Sequence, residues 1–189
     1  HNGMVNVNGQ KMSKSLKNFT TIRNLLDSGT SPMTLRYFVL TVNYRKPLDF
    51  TDEALRSASE AWKNINIALS FFDITKKEKL SIEINEKNEF VEEKYKERIN
   101  FEISQKKIKF INALNNDLNT AGAIAIIYEL AKPLKNFINQ FQRIKNLEIN
   151  PNEKFHLSET LKTLEEFTEV LGLKKEALII ESKINDSQI

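Results

Sequence analysis

Cysteine is absent from all 189 residues, which excludes disulfides and thiolate metal sites within this chain. Glycine is scarce, at five residues, and no fixed-period repeat appears. No stretch reaches the roughly 18 consecutive apolar residues of a membrane-spanning helix. The first residues carry no charged-then-apolar signal pattern. Neither a Gly-x-x-x-x-Gly-Lys-Ser/Thr phosphate loop nor a Gly-x-Gly-x-x-Gly fingerprint occurs. The two histidines, His1 at the chain start and His156 near a helix start, lie far apart and read as surface groups. What remains is 40% hydrophobic and 28% charged, the balance of a soluble globular domain with at most a small appendage. No membrane partner is expected, and the absence of cysteine is compatible with a cytoplasmic setting. The opening "HNGMV" has neither helix-start nor linker character and reads as the interior of a longer polypeptide.

The net charge of +3 is unevenly spread. Residues 1–50 hold 7 Lys and Arg against 2 Asp, whereas residues 51–189 hold 21 basic against 23 acidic residues. A basic head on a near-neutral body suits a phosphate or nucleic-acid partner for the head.

The head begins with "MVNVNGQKM", where apolar and polar residues alternate about Asn8-Gly9, a hairpin signal with Met4, Val5 and Val7 in the first strand. A short helix is expected over "TTIRNLLDSG", capped by Thr20 or Thr21 and stopped by Gly29. Ser31-Pro32 starts a second helix, with a β-branched tail that a strand would also accommodate. "NYRKPLDF" reads as a loop. From Thr51 a long helix carries Leu55, Ala58, Trp62, Ile65, Leu69 and Phe72 on one stripe. Residues 74–88 read as a polar connection. A helix over 89–115 is expected to turn Phe101, Ile108, Ile111 and Leu114 inward. A third bundle helix, capped by Thr120 and kinked at Pro133, places Ile124, Ile127, Tyr128, Ala131, Leu134, Ile138 and Phe141 inward. A fourth carries Leu157, Leu161, Leu164, Phe167 and Leu171 and ends at Gly172, and "KKEALIIESK" suits a short fifth. Four one-faced helices joined by moderate loops predict a mainly α fold. It is an antiparallel helical bundle preceded by a small mixed segment with a short hairpin.

Chemistry concentrates in "KMSKS". Lys11 and Lys14 flank Met12 and Ser13, and Ser15 adds a second hydroxyl. Lysine is a mobile point charge, suited to following a phosphate group as its geometry changes. Nucleotidyl transfer needs positive charge where negative charge develops in the transition state. By composition alone a solvated surface loop stands beside that reading. Trp62 reads as core with base stacking as the minority alternative, and Arg36 as an anchor for a carboxylate or carbonyl.

The string Lys11-Met12-Ser13-Lys14-Ser15 matches the signature loop of class I aminoacyl-tRNA synthetases, and its flanks are more specific. "HNGMVNVNGQKMSKSLKNFTTIRNLL" and "LRYFVLTVNYRKPLDFTDEAL" closely resemble the cysteinyl-tRNA synthetases. "FINALNNDLNTAGAIAIIYELAK" is similar to that family's Asp-rich junction, here Asp117, Asn119 and Thr120, and "EVLGL" matches the usual end of its helical domain.

The resemblance implies a C-terminal piece of a cysteine–tRNA ligase. Residues 1–50 would then belong to the catalytic core, and 51–189 would form the helical tRNA-binding bundle of DALR type. It assigns Lys11, Met12, Ser13, Lys14 and Ser15 to ATP, with Lys14 and Lys11 catalytic. Lys17, Tyr44, Arg45 and Lys46 are expected to contact tRNA(Cys), and the junction is expected to serve mainly helix-end capping around Thr120. ATP with Mg is the expected substrate. Zinc and the nucleotide-binding domain are expected upstream of His1 in the same polypeptide, with no metal in this chain. The isolated piece is expected to be inactive. Lys17 departs from the family, which usually has glycine there. If that position needs φ > 0, lysine costs about 1 kcal/mol; otherwise it adds a phosphate contact. A stand-alone helical RNA-binding module, or a class I synthetase for another amino acid, remains open on these residues.

Overall fold

The computed structural model describes residues 3–77, 91–144 and 149–178. In the head, β1 (Val5–Val7) and β2 (Gln10–Lys11) form the expected hairpin. Asn8 (φ 51°) and Gly9 (φ 77°) both occupy the left-handed region, as a two-residue turn of this kind requires. α1 (Ile22–Asp27) is capped by Thr21 and stopped at Gly29, φ 92°, where Thr30 and Gly29 N–H groups close back on Leu25 and Leu26 carbonyls. α2 (Pro32–Leu40) starts on the Ser31 hydroxyl, which accepts from Thr34 N–H. The alternative of a strand in its tail is not realised.

The expected loop after α2 contains a strand instead. β3 (Leu48–Phe50) pairs parallel to β1, Val5 opposite Leu48 and Val7 opposite Phe50, giving the order β2-β1-β3. Three residues are too few to show a period, so only the distant partner makes this segment a strand. The Phe50 ring packs edge-on to Phe38 of α2 at 5.0 Å and ties the sheet to the helices.

The body is a bundle of α3 (Asp52–Leu69), α5 (Glu93–Asn115), α6 (Thr120–Phe141) and α7 (Pro151–Val170), with the short α4 (Phe71–Lys77) continuing α3 after Ser70. The long first helix is thus broken at Ser70, whose hydroxyl donates to the Asn66 carbonyl. Residues 74–77, expected in the connection, are helical, while 78–88 lie outside the described residues. The break shifts the register, so Phe71 rather than Phe72 is fully buried, against Phe137. Ala58, Trp62, Ile65 and Leu69 are buried as expected, and Leu55 is half-buried.

α5 corrects the sequence reading most. It carries two apolar stripes, and the buried one is Ile99, Ile103 and Phe110, whereas Phe101, Ile108 and Ile111 are exposed and Leu114 is half-buried. Both stripes have helical spacing; the choice was made by the partner, since Phe110 stacks on Phe167 of α7 with centroids 3.9 Å apart. α6 is capped by the Asn119 side chain, which accepts from Gly122 N–H, so Thr120 is its first residue and not its cap. Tyr128 lies on its exposed side, Phe141 is half-buried, and Pro133 falls inside the helix. α7 buries all five expected residues. It ends at Gly172, φ 64°, with Leu173 and Gly172 N–H groups bonded to Thr168 and Glu169 carbonyls. Arg36 donates to the Leu171 carbonyl at 2.8 Å, the expected anchor, placing positive charge at the negative end of α7.

No helix forms over residues 173–178; those of "KKEALIIESK" beyond 178 lie outside the described residues. Glu176 is instead held in irregular chain. Its N–H and C=O pair with the Asn66 amide, and its carboxylate accepts from Trp62 Nε1 at 2.7 Å and the Ser31 hydroxyl at 3.1 Å. Trp62 is core, as expected. His156 is not a surface group: it sits half-buried in the second turn of α7, and burial lowers its pKa below the ordinary imidazole value.

Candidate functional site

The lysine loop hangs from the head sheet. Asp49 on β3 accepts the Gly9 N–H through both carboxylate oxygens at 3.0 Å, fixing the hairpin tip. Past β2, Met12 N–H returns to the Val5 carbonyl at 2.9 Å. The next six residues fold into a ring closed by one side chain. Asn18 Oδ1 accepts from Ser13 N–H at 2.9 Å, and Asn18 Nδ2 donates to the Lys11 carbonyl at 3.1 Å. Inside the ring, Ser13 Oγ accepts from Leu16 N–H and lies 3.0 Å from Ser15 Oγ, so the two hydroxyls shape the loop.

Lys17 has φ 52°, so the position does require the left-handed region, and lysine carries the strain that glycine would avoid, about 1 kcal/mol. The exposed Lys14 ammonium rests 5.8 Å from the Phe19 ring centroid. Among the described residues no ion pair engages Lys11, Lys14 or Lys17. Three exposed ammonium groups on a closed backbone ring form a cationic surface that can neutralise a polyphosphate. Sequence reasoning singled out the lysines and serines but not Asn18 and Asp49, which hold them; the Asn that follows the signature was the available signal.

The second cluster joins head to bundle. Tyr44 Oη donates to Asp117 Oδ1 at 2.8 Å, while Arg45 grips the same carboxylate with Nε at 2.8 Å and Nη2 at 3.0 Å. The Arg45 guanidinium also stacks over the Tyr44 ring at 5.0 Å. The Arg45 guanidinium, and then the Tyr44 hydroxyl, hold the Asp117 carboxyl down to about 2. The same bond to Asp117 pushes the Tyr44 hydroxyl up. Of the residues expected at tRNA, Tyr44 and Arg45 are therefore engaged with Asp117, while Lys17 and Lys46 are exposed. Asn116 and Asn119 take the cap positions at this junction, whereas the Asp117 carboxylate bonds Tyr44 and Arg45, and only the fold brings it to residues 72 and 73 positions earlier. Among the described residues no group of three His, Cys, Asp or Glu side chains is placed to hold a metal.

Comparison with known proteins matches both parts. Residues 1–60 match the tRNA synthetases class I (C) catalytic domain, and residues 109–175 match the DALR domain. A cysteine--tRNA ligase of Prochlorococcus marinus strain MIT 9515 is 89% identical over the whole chain. That of strain MED4 is 87% identical over the same span, and that of strain NATL1A is 46% identical over 92% of the chain. The chain spans about 38% of the length of the first two and 35% of the third. With both domain matches and an identity that runs from the lysine loop through the bundle, this chain belongs to the cysteine–tRNA ligase family of class I tRNA synthetases.

Proposed function

We propose that this chain supplies the mobile-lysine part of an adenylation site and a tRNA-binding bundle to a cysteine–tRNA ligase. Residues 1–50 serve the catalytic core and 51–189 the bundle. The cysteine carboxylate attacks the α-phosphorus of ATP, the bond to the β-phosphate oxygen breaks, and pyrophosphate leaves. The cysteinyl group then passes to a hydroxyl of the 3′-terminal adenosine of tRNA(Cys), releasing AMP.

Lys14 and Lys11 contact the phosphates, and Lys14 neutralises charge on the five-coordinate α-phosphate and the departing pyrophosphate. The hydroxyls of Ser13 and Ser15 and the backbone at Met12 keep the loop in shape for ATP. Mg accompanies the ATP, zinc belongs to residues outside this chain, and the protein acts in the cytoplasm. Lys17 and Lys46 meet the tRNA backbone. The observation that carries the reading is the ring closed by Asn18, which presents three exposed ammonium groups and no partner carboxylate among the described residues.

The test is cysteine-dependent ATP–pyrophosphate exchange in a polypeptide joining this chain to the nucleotide-binding half. Lys14→Ala lowers the rate by about 10²-fold or more, as loss of one transition-state donor does. An unchanged rate removes Lys14 from the mechanism. The 189-residue chain alone gives no exchange.

A further inference from the structure

The Asp117 cluster is costly in backbone and cheap in stability, and that imbalance needs a reason. Asp117 (φ 53°) and Leu118 (φ 50°) are consecutive left-handed residues without glycine between α5 and α6. Aspartate tolerates that region, but leucine at 60% exposure gains no packing in return. The ion pair they present is itself open to water, with Arg45 58% and Asp117 47% exposed, and exposed pairs add little to stability. What the arrangement does supply is geometry. A bidentate guanidinium–carboxylate pair with a third donor from Tyr44 fixes orientation in a way that a single contact does not. Residues held in sparsely populated backbone conformations gather where function needs placement.

The contacts lead from there to the lysine loop without a gap. Tyr44 O accepts from Gly3 N–H at 2.7 Å, and Gly3 is pressed so closely on the Lys46 carbonyl that a Cβ would lie 2.0 Å from its oxygen. Leu48 N–H bonds the Met4 carbonyl, β3 pairs with β1, and β1 carries the hairpin whose tip Asp49 holds. Lys11 ends that hairpin, and Asn18 closes the ring behind it. Asp117 thus stands at the end of a chain of hydrogen bonds that runs from the junction of the two longest helices to the catalytic lysines.

We propose that Asp117 is a positioning residue: through Arg45 and Tyr44 the α5–α6 junction of the bundle sets the placement of the loop bearing Lys11 and Lys14. The catalytic consequence rests on the ligase reading above; the mechanical one does not.

The experiment uses the full ligase polypeptide containing this segment, with Arg45→Ala, Asp117→Ala, their double variant, and the charge-exchanged pair Arg45→Asp with Asp117→Arg. Amide hydrogen exchange is read on peptides covering residues 10–19, with α7 peptides as the internal standard. Each single variant speeds exchange in 10–19 by about 5-fold and leaves α7 unchanged, because a local restraint and not the core is lost. Pyrophosphate exchange falls about 10-fold in kcat with the KM for cysteine unchanged, as misplacement of a catalytic group predicts. The double variant is no worse than the poorer single one, and the exchanged pair recovers part of the loss. Unchanged amide exchange in 10–19 when the clamp is broken overturns the proposal. Absence of pyrophosphate exchange in the unmutated polypeptide would instead overturn the ligase reading, and the amide-exchange result would still decide whether Asp117 positions the loop.

Discussion

Replacing Asn66 by aspartate changes one NH2 for one oxygen and tests whether residues 173–178 are truly held by α3. Asn66 is 6% exposed; its Nδ2 donates to the Glu176 carbonyl at 3.1 Å, and its Oδ1 accepts from Glu176 N–H at 2.9 Å. Asn66→Asp keeps the acceptor and turns the donor into a second oxygen facing a carbonyl. The lost hydrogen bond costs about 1 kcal/mol. Placing a carboxylate in that buried position with one partner adds about 2 kcal/mol. A total near 3 kcal/mol lowers the midpoint of thermal unfolding by about 6–12 °C for a chain of this size.

The assay is thermal unfolding followed by circular dichroism. A local reading comes from the single tryptophan, Trp62, whose indole N–H is bonded to the Glu176 carboxylate. Its emission shifts when that segment detaches. Acidification reverses part of the loss, because the protonated carboxyl at this position donates to the Glu176 carbonyl again. A midpoint within about 2 °C of the unmutated chain, well under the shift expected for 3 kcal/mol, with unaltered Trp62 emission, would refute the reasoning.

The buried face of α5 is tested by a contrast: Phe110→Ala, which removes a ring stacked on Phe167, costs about 3–5 kcal/mol in urea unfolding, and Phe101→Ala under about 0.5 kcal/mol. Burial lowers the pKa of His156 against the pull of Glu102 and Glu153, so the folded state prefers neutral imidazole. Stability is then full above about pH 6.5 and declines below it as the unfolded chain takes up the proton, and His156→Gln flattens that slope in unfolding measured from pH 5 to 8. Asp117, held at about 2, makes its small contribution above its ordinary value of 3.8 and loses it as pH falls toward 2. Carbon-detected NMR on Arg45→Ala finds the Asp117 titration moved up toward the ordinary value, and no movement would show that Arg45 is not its cause.

Local signals carried much of this molecule. Asn8-Gly9, Thr21, Ser31-Pro32, Thr51 and Gly172 each act on backbone within a few residues, so turns, caps and stops were legible at those positions. One-sided stripes on α3, α6 and α7 named most of the core. The lysine loop stood out by residue type as an anion-binding candidate, and its neighbours supplied the family. On α5 the sequence offered two stripes of helical spacing, and nothing within one helix chooses between them; Phe167 did, from α7. β3 became a strand because β1 was there to pair with. Residues 173–178 stayed out of a helix, with the backbone groups of Glu176 paired to Asn66.

Local sequence was enough to place the starts of α1, α2 and α3, the stops at Gly29 and Gly172, and the positive charge of the lysine loop. Only the tertiary structure joins Asp117 to Arg45 and Tyr44, and so the head to the α5–α6 junction. Caps and periods depend on neighbours in the chain. A bond between positions more than 70 residues apart depends on packing that brings them together, and no local pattern encodes it.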